Sequence, residues 1–285
     1  MKIIDQIKSK DGKTQKFLQM TEDKYITETA FVNDRKYLLC YSSQVGCPIA
    51  CSFCYNGVNK NFTRNLTKNE MVEQCTNIIK HLDIYNKDKP IKFGCMGVGE
   101  PLLNYENVIN GMTELDKKYP HSIFSLATTG INPNLIPQLA NDIKDMERFI
   151  LTISLHASND ETRKKLIPMH KSMFTLRDAA NKYKKITNHE MCWNYMLLDG
   201  INDSEKNVQE LSDFLEKGDT VKLTHYSPIM GSNLKSATQD KFHKFREMLE
   251  KKGIEFYEFN PDGKDINAGC GQMAAKKQII CDKEI

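Results

Sequence analysis

From Tyr37 onward the chain alternates short apolar runs with amphipathic stretches, and a chain patterned in this way has few architectures open to it. Strands are predicted near residues 37–42, 91–96, 123–128, 149–155, 191–197, 221–226 and 254–259. Helical patterns fall between them, near 68–85, 105–118, 134–146, 176–186, 205–217 and 239–251. In the first of these, Met71, Cys75, Ile78 and Ile79 share one face at helical spacing. Repeated βα units predict an α/β fold, a partial (βα)6 TIM-like barrel with its function at the C-terminal strand ends. A doubly wound open sheet is the alternative. Turn clusters at Gly130-Ile131-Asn132-Pro133-Asn134, Asp199-Gly200-Ile201-Asn202-Asp203 and Asn260-Pro261-Asp262-Gly263 punctuate the units.

Residues 1–35 read differently. A polar, charged start is followed by alternation in Lys16-Phe17-Leu18-Gln19-Met20 and Tyr25-Ile26-Thr27, which predicts a short strand-rich extension ahead of a main domain spanning 36–285. With 285 residues and 40% hydrophobic content, one large core can be filled. The opening Met1-Lys2-Ile3-Ile4-Asp5 has no apolar run of signal-peptide length, so a soluble cytoplasmic protein without a membrane partner is expected. Nine cysteines in such a chain argue for metal binding or thiol chemistry, because a reducing compartment does not favour structural disulfides.

Three of those cysteines stand in one run, Cys47-Pro48-Ile49-Ala50-Cys51-Ser52-Phe53-Cys54. Three thiolates on a four-iron cubane leave one iron without a protein ligand, and an open iron can bind and reduce a small molecule. The spacing differs from the paired C-x2-C of most zinc sites, although a zinc knuckle that borrows a distant fourth ligand stays open. Directly after the second strand comes Gly97-Val98-Gly99-Glu100-Pro101, where glycines let backbone approach a ligand and Glu100 offers a carboxylate to an ammonium. Ser154-Leu155-His156 ends the fourth strand, placing a hydroxyl and an imidazole where they could line a pocket, with a structural histidine as the equal alternative. The net charge of +3, from 40 Lys plus Arg against 37 Asp plus Glu, decides nothing about nucleic acid. Local clusters read as phosphate contacts or, more commonly for such runs, as a solvated charged face: Lys60, Arg64 and Lys68 after the cysteine run, and Arg163, Lys164, Lys165, His170 and Lys171 on what reads as a loop.

Several longer runs carry a resemblance. Cys40-Tyr41-Ser42-Ser43-Gln44-Val45-Gly46-Cys47, the three-cysteine loop, Phe62-Thr63-Arg64-Asn65-Leu66, Gly99-Glu100-Pro101-Leu102-Leu103-Asn104, Ser154-Leu155-His156-Ala157, Leu198-Asp199-Gly200-Ile201-Asn202-Asp203 and Ala268-Gly269-Cys270-Gly271-Gln272 together resemble the RlmN/Cfr family of radical S-adenosylmethionine RNA methyltransferases. The match extends from about Glu28 to Lys276. It implies a barrel of the radical SAM type, with Cys47, Cys51 and Cys54 holding a 4Fe-4S cluster and Gly99, Glu100, Ser154, His156 and Ser227 contacting S-adenosylmethionine. Two positions depart from the family pattern, Ala127 ahead of Thr128-Thr129-Gly130 and Ser227 ahead of Pro228. The stretch ahead of Cys40 is also shorter than the helical accessory domain usual in the family, so the chain is expected to be a short version without that domain.

By the same resemblance, the activity is methylation of adenine carbon 2 in 23S ribosomal RNA or transfer RNA. That carbon lies between two ring nitrogens and is too electron-poor to attack the methyl group of S-adenosylmethionine, so the family uses radicals. One S-adenosylmethionine methylates Cys270, a second yields a 5'-deoxyadenosyl radical that takes hydrogen from the methylated Cys270, and the resulting methylene radical adds to the ring. Cys40 then accepts the proton and the adduct resolves as a Cys40–Cys270 disulfide, with Glu28 matching an acidic residue linked to proton transfer. A flavodoxin- or ferredoxin-like electron donor and a monomeric state are implied as well. Alternatives are methylation of adenine carbon 8, a radical enzyme with another substrate, or a zinc-containing RNA-binding protein. Cys75, Cys95 and Cys192 read as core residues, and Cys281 as incidental.

Overall fold

The computed structural model describes residues 1–85 and 89–267, so Cys270 and Cys281 lie outside the described residues. The chain opens with three antiparallel strands, β1 (Lys2–Lys8), β2 (Thr14–Met20) and β3 (Ile26–Asn33), and then enters β4 (Tyr37–Tyr41). A short excursion follows, made of β5 (Gln44–Val45), α1 (Tyr55–Asn59) and β6 (Arg64–Asn65). From there helix and strand alternate: α2 (Lys68–Leu82), β7 (Ile91–Cys95), α3 (Tyr105–Lys118), β8 (Ile123–Thr128), α4 (Leu135–Asp142) and β9 (Arg148–Ser154). The rest is α5 (Asp160–Leu166), α6 (Met173–Ile186), β10 (Glu190–Leu197), α7 (Glu205–Phe214), β11 (Thr220–His225), α8 (Gln239–Lys251) and β12 (Glu255–Phe259). No helix among the described residues is long and apolar enough to cross a membrane.

One sheet of ten strands runs β1-β2-β3-β4-β7-β8-β9-β10-β11-β12, parallel from β4 onward. A doubly wound sheet needs a reversal of strand order, and here the order follows the chain throughout. The partial barrel is the observed fold. The extension at 1–35 builds onto this same sheet through Ala30↔Cys40 and its neighbours. The first strand reads from sequence only as a charged start, because it is an exposed edge with no apolar alternation to reveal it.

Strand side chains alternate between two faces. Leu39, Tyr41, Phe93, Cys95, Phe124, Leu126, Leu151 and Ile153 point outward into the core under the helices, where Met71, Cys75 and Ile78 of α2 meet them. The other parity faces the barrel lumen, and the strand register aligns Cys40, Gly94, Ser125 and Ile150 in one row across β4, β7, β8 and β9. Cys75 and Cys95 are core residues as expected, whereas Cys192 lies on the lumen face, with Thr152 Oγ1 and Tyr257 Oη each 3.5 Å from its sulphur.

Local chemistry sets the helix ends. Thr67 and Glu70 cap α2 reciprocally, and the helix stops three residues short of the predicted 85 because Asp83 turns left-handed at φ 47°. The helix α5 has no apolar periodicity and reads as a loop from sequence; Asn159 caps it by accepting from Thr162 N at 2.9 Å.

Gln74 of α2 ties the extension to the barrel. Fully buried, it accepts from Ser42 N at 3.0 Å, donates to Ser42 O at 2.9 Å, and accepts from Thr29 Oγ1 at 3.1 Å, while its own carbonyl accepts from Gln19 Nε2 at 2.9 Å. A leucine there would strand both backbone groups of Ser42 in an apolar setting. Gln74→Leu is expected to lower stability by about 2–4 kcal/mol, read as a fall in the urea midpoint. An unchanged midpoint would contradict this account of the junction.

Candidate active site

The three-cysteine loop begins where β5 ends. Pairing of Gln44 with Asn65 and Val45 with Arg64 brackets residues 46–63, so the loop is closed at its base before it reaches the cavity. Gly46 makes the closure possible: its φ is +74°, and a Cβ at this position would lie 1.2 Å from Asn61 O. Ala50 takes the left-handed turn at φ 60°, and Cys54 N donates to Cys51 O at 3.2 Å before the chain enters α1. Two outside contacts steady the tip. Ser52 N donates to Leu166 O at 3.0 Å, and Ser52 O accepts from Ser232 Oγ at 3.0 Å.

Cys47, Cys51 and Cys54 line a cavity of ≈130 Å³ at the C-terminal mouth of the barrel, together with Gly97, Gly99, Glu100 and Ser154. Cys51 is buried, and the other two are half-buried. Gly99 sits at φ +110°, where a Cβ would come within 2.6 Å of Ser43 Oγ, so the turn after β7 can pack this close to the cysteine-loop base only as glycine. Ala127 contributes a methyl group to the wall, and the two threonines after it bind Glu100.

Glu100 is buried and its carboxylate is fully engaged. One oxygen accepts from Leu102 N at 3.1 Å and from Thr128 Oγ1, and the other accepts from Thr129 N and Thr129 Oγ1, both at 2.8 Å. Burial holds its pKa above the usual carboxylate range, against the pull of those donors. An incoming ammonium would therefore have to displace a threonine hydroxyl, which can rotate away at little cost.

His156 is not on the cavity wall. Its φ is 55°, its ring meets Phe53 of the cysteine loop edge-on with centroids 4.7 Å apart, and its Nδ1 accepts from Met196 N at 3.1 Å. Burial, and then the charges of Arg163 and Lys222, push its pKa down to about 3, so it is a neutral group holding the loop from behind. Asn202 braces the same corner, donating to His156 O and Met196 O at 2.9 and 2.8 Å.

Arg163 corrects a sequence expectation. The sequence places it among surface cations, as a phosphate contact or part of a solvated face, yet it is fully buried, donating to Ser154 O at 2.7 Å, to Leu155 O, and to Thr129 O at 2.6 Å. Burial lowers its pKa only to about 10, so the guanidinium stays charged while it ties the ends of β8 and β9 together. No sequence signal marked it, because a single Arg among lysines looks like surface. Arg64 is likewise committed, with Asp23 at 2.7 Å and Glu70 at 2.7 Å. Lys60 and Lys164 are exposed.

The remaining candidates are spread out. Cys40 is half-buried on the lumen face of β4, and Ser227 lies two residues past β11, partly buried and away from the cavity lining. Glu28 is buried in β3, where it forms an ion pair with Lys16. Deeper in the lumen Lys222 holds its ammonium 3.8 Å over the Phe259 ring, and burial lowers the pKa of Lys92 to about 8.

The profile of the Radical SAM superfamily matches residues 41–212. A Prochlorococcus marinus (strain NATL2A) protein named probable dual-specificity RNA methyltransferase RlmN is 33% identical over 279 residues, covering 95% of this chain and 76% of that protein. The chain belongs to the RlmN family of the radical SAM superfamily. The dual-specificity RNA methyltransferase RlmN of Wolinella succinogenes is 33% identical over 275 residues, 93% of this chain and 75% of that protein. Among solved structures, a radical SAM methyltransferase from Sphaerobacter thermophilus superposes with TM-score 0.86 at 29% identity, covering 95% of this chain and 81% of the other.

Radical SAM membership brings a 4Fe-4S cluster and S-adenosylmethionine as cofactors. The cavity suits both. Each thiolate of a cubane binds a different iron, so the sulphurs must face one space rather than converge on a point. All three cysteines line that one cavity. Glycine backbone at Gly97 and Gly99 provides the close approach a bound nucleoside needs.

The pKa of His156 is depressed on folding, so the unfolded chain binds a proton below about pH 6.5 that the folded chain refuses. Its stabilising contribution is complete above that pH and is lost as pH falls toward 3. Between pH 7 and pH 5 the loss should be about 2 kcal/mol. Unfolding in denaturant at both pH values is expected to show His156→Asn less acid-sensitive than the parent by that amount; equal sensitivity would mean that His156 is not held neutral.

Proposed function

We propose that this protein methylates carbon 2 of an adenine in RNA, with ribosomal or transfer RNA as the substrate. The observation that carries the reading is the meeting of Cys47, Cys51 and Cys54 with the Gly97–Glu100 turn in one cavity at the barrel mouth. Relatives named as RNA methyltransferases align over nearly the whole chain, which supports RNA as the substrate class. Cys47, Cys51 and Cys54 would hold the cluster, leaving one iron open to the amino and carboxylate groups of S-adenosylmethionine. Bound together, these cofactors supply an electrophilic methyl group and a strong hydrogen abstractor. An external one-electron carrier of flavodoxin or ferredoxin type is required, since the substrate provides no electron.

The roles of the chain follow from placement. Gly99, Glu100 and Ser154 form the wall against which S-adenosylmethionine is oriented. His156 acts through Phe53 on the cysteine loop, and Ser227 stands at the same end of the barrel. Cys270 is the methyl carrier, and Cys40 takes the proton that must leave adenine carbon 2. A lumen-facing position one residue from the C-terminal end of β4 fits that duty, because a base held there lies at the mouth by which the substrate enters. The target adenine must leave its stack to enter, so an unpaired or loosely folded RNA segment is the preferred substrate. Lys60 and Lys164, both exposed, are left to meet its phosphates, since Arg64 and Arg163 have structural duties.

Mass mapping of adenosines in total ribosomal and transfer RNA, with and without the protein, tests the activity. A 2-methyladenosine that appears only with the intact chain is expected, and Cys51→Ala should abolish it together with bound iron. An 8-methyl product, or none with a full complement of iron, would overturn the assignment.

Cys270→Ala should carry no methyl group and give no product. Cys40→Ala should still load the methyl group and add to RNA but fail to release it, leaving protein joined to RNA through Cys270. Denaturing gels with labelled RNA, then nuclease digestion and peptide mass analysis, read this out. Normal turnover by Cys40→Ala would rule out the two-cysteine route.

A further inference from the structure

Two elements wall the cofactor cavity, the cysteine loop and the turn after β7, and side-chain amides span the seam between their bases. Gln44 lies three residues ahead of Cys47 and is buried. Its Oε1 accepts from Glu100 N at 2.8 Å, and its Nε2 donates to Asn65 Oδ1 at 2.8 Å. Asn65 in turn donates through Nδ2 to Leu103 O at 3.1 Å. Both amide orientations are forced, because Glu100 N can only donate and Leu103 O can only accept. The two amides thus join both strands at the base of the loop, β5 and β6, to both ends of the turn that begins at Glu100. Packing across the seam is equally close, since a Cβ on Gly99 would lie 2.7 Å from Gln44 Cβ.

Closing the cysteine loop does not need these bonds, because the backbone pairing of β5 with β6 already does so. Backbone contact between the loop base and the turn, from Ser43 N and Gln44 N to Val98 O at 2.9 and 3.2 Å, stops two residues short of Glu100. We propose that Gln44 is a positioning residue, setting the separation of the cysteine loop from the Gly99–Glu100 turn so that one S-adenosylmethionine reaches both. The inference rests on the reading above that gives the cluster to Cys47, Cys51 and Cys54 and the S-adenosylmethionine wall to Gly99 and Glu100. An apolar side chain of the same length could fill the space, but it would leave Glu100 N unpaired in the interior and have no grip on Asn65. Asn104 fastens the seam independently, donating to Ser43 O and Leu66 O at 2.8 and 2.7 Å, so a change at Gln44 alters the gap without opening the fold.

The test uses the full chain with its cluster reconstituted anaerobically and reads two quantities that need no turnover. One is the affinity for S-adenosylmethionine by equilibrium dialysis. The other is the change that saturating S-adenosylmethionine causes in the electron paramagnetic resonance spectrum of the reduced cluster, which reports ligation of the open iron. Gln44→Met, similar in size and without an amide, should keep the parent's bound iron, bind S-adenosylmethionine about 10-fold more weakly and show a smaller spectral change. Asn65→Ala breaks the same link from its exposed partner and should weaken binding severalfold, again with iron unchanged. It decides the matter if Gln44→Met does not fold. Parent-like affinity and spectral change in both variants, or in Asn65→Ala when it alone folds, would overturn the positioning role and leave the site reading standing. Loss of iron from folded Gln44→Met would make the residue a support of the loop alone and also overturn the proposal. A parent whose reduced cluster does not respond to S-adenosylmethionine would overturn both the proposal and the site reading.

Discussion

At the mouth of the barrel the strands end, and their last carbonyls and amides are buried without a ladder to join. Each such group left unpaired costs about 1–3 kcal/mol, so the site exists only because side chains take over where the sheet stops. Arg163 gathers the carbonyls of Thr129, Ser154 and Leu155, Asn202 those of His156 and Met196, and Asn104 those of Ser43 and Leu66. Glu100 serves the complementary need, collecting amides and hydroxyls from β8 and the turn after β7. Remove these four side chains and the loops that line the cavity have nothing to set their height above the sheet.

The same constraint orders the electrostatics. His156, buried behind the cysteine loop, is kept neutral, so it adds no charge beside that loop. Arg163 stays charged despite burial because carbonyl oxygens surround its fork, and the charge of nearby Cys51 favours its protonated form. Glu100 likewise favours the protonated form of Arg163.

On the opposite flank, among the described residues, β12 and β1 do not pair and side-chain ties span the gap. The hairpin of β1 and β2 reaches the segment after β12 through Lys10 and Lys16, which links the first residues of the protein to the stretch leading to Cys270. Gln74 fastens the same hairpin to the end of β4, where Cys40 and the start of the cysteine loop lie. The extension is therefore fastened to the barrel at both of its sides.

Alternation of apolar runs and amphipathic helices, with turn residues between, determined the βα repeats and their strand positions, because periodicity is a local property of the chain. The spacing of Cys47, Cys51 and Cys54, and the glycines at 97 and 99, likewise marked a loop site from sequence alone. Only the tertiary structure decided which charges are surface and which are struts. Lys164 and Arg163 are neighbours in one cluster, yet one faces solvent and the other is fully buried, since helix α5 turns successive residues to opposite environments. Lys16 and Asn267, 251 residues apart, could not be paired from any local pattern; their meeting depends on barrel curvature that brings β12 round toward the hairpin. Sequence names the chemical groups, and long-range register decides which of them meet.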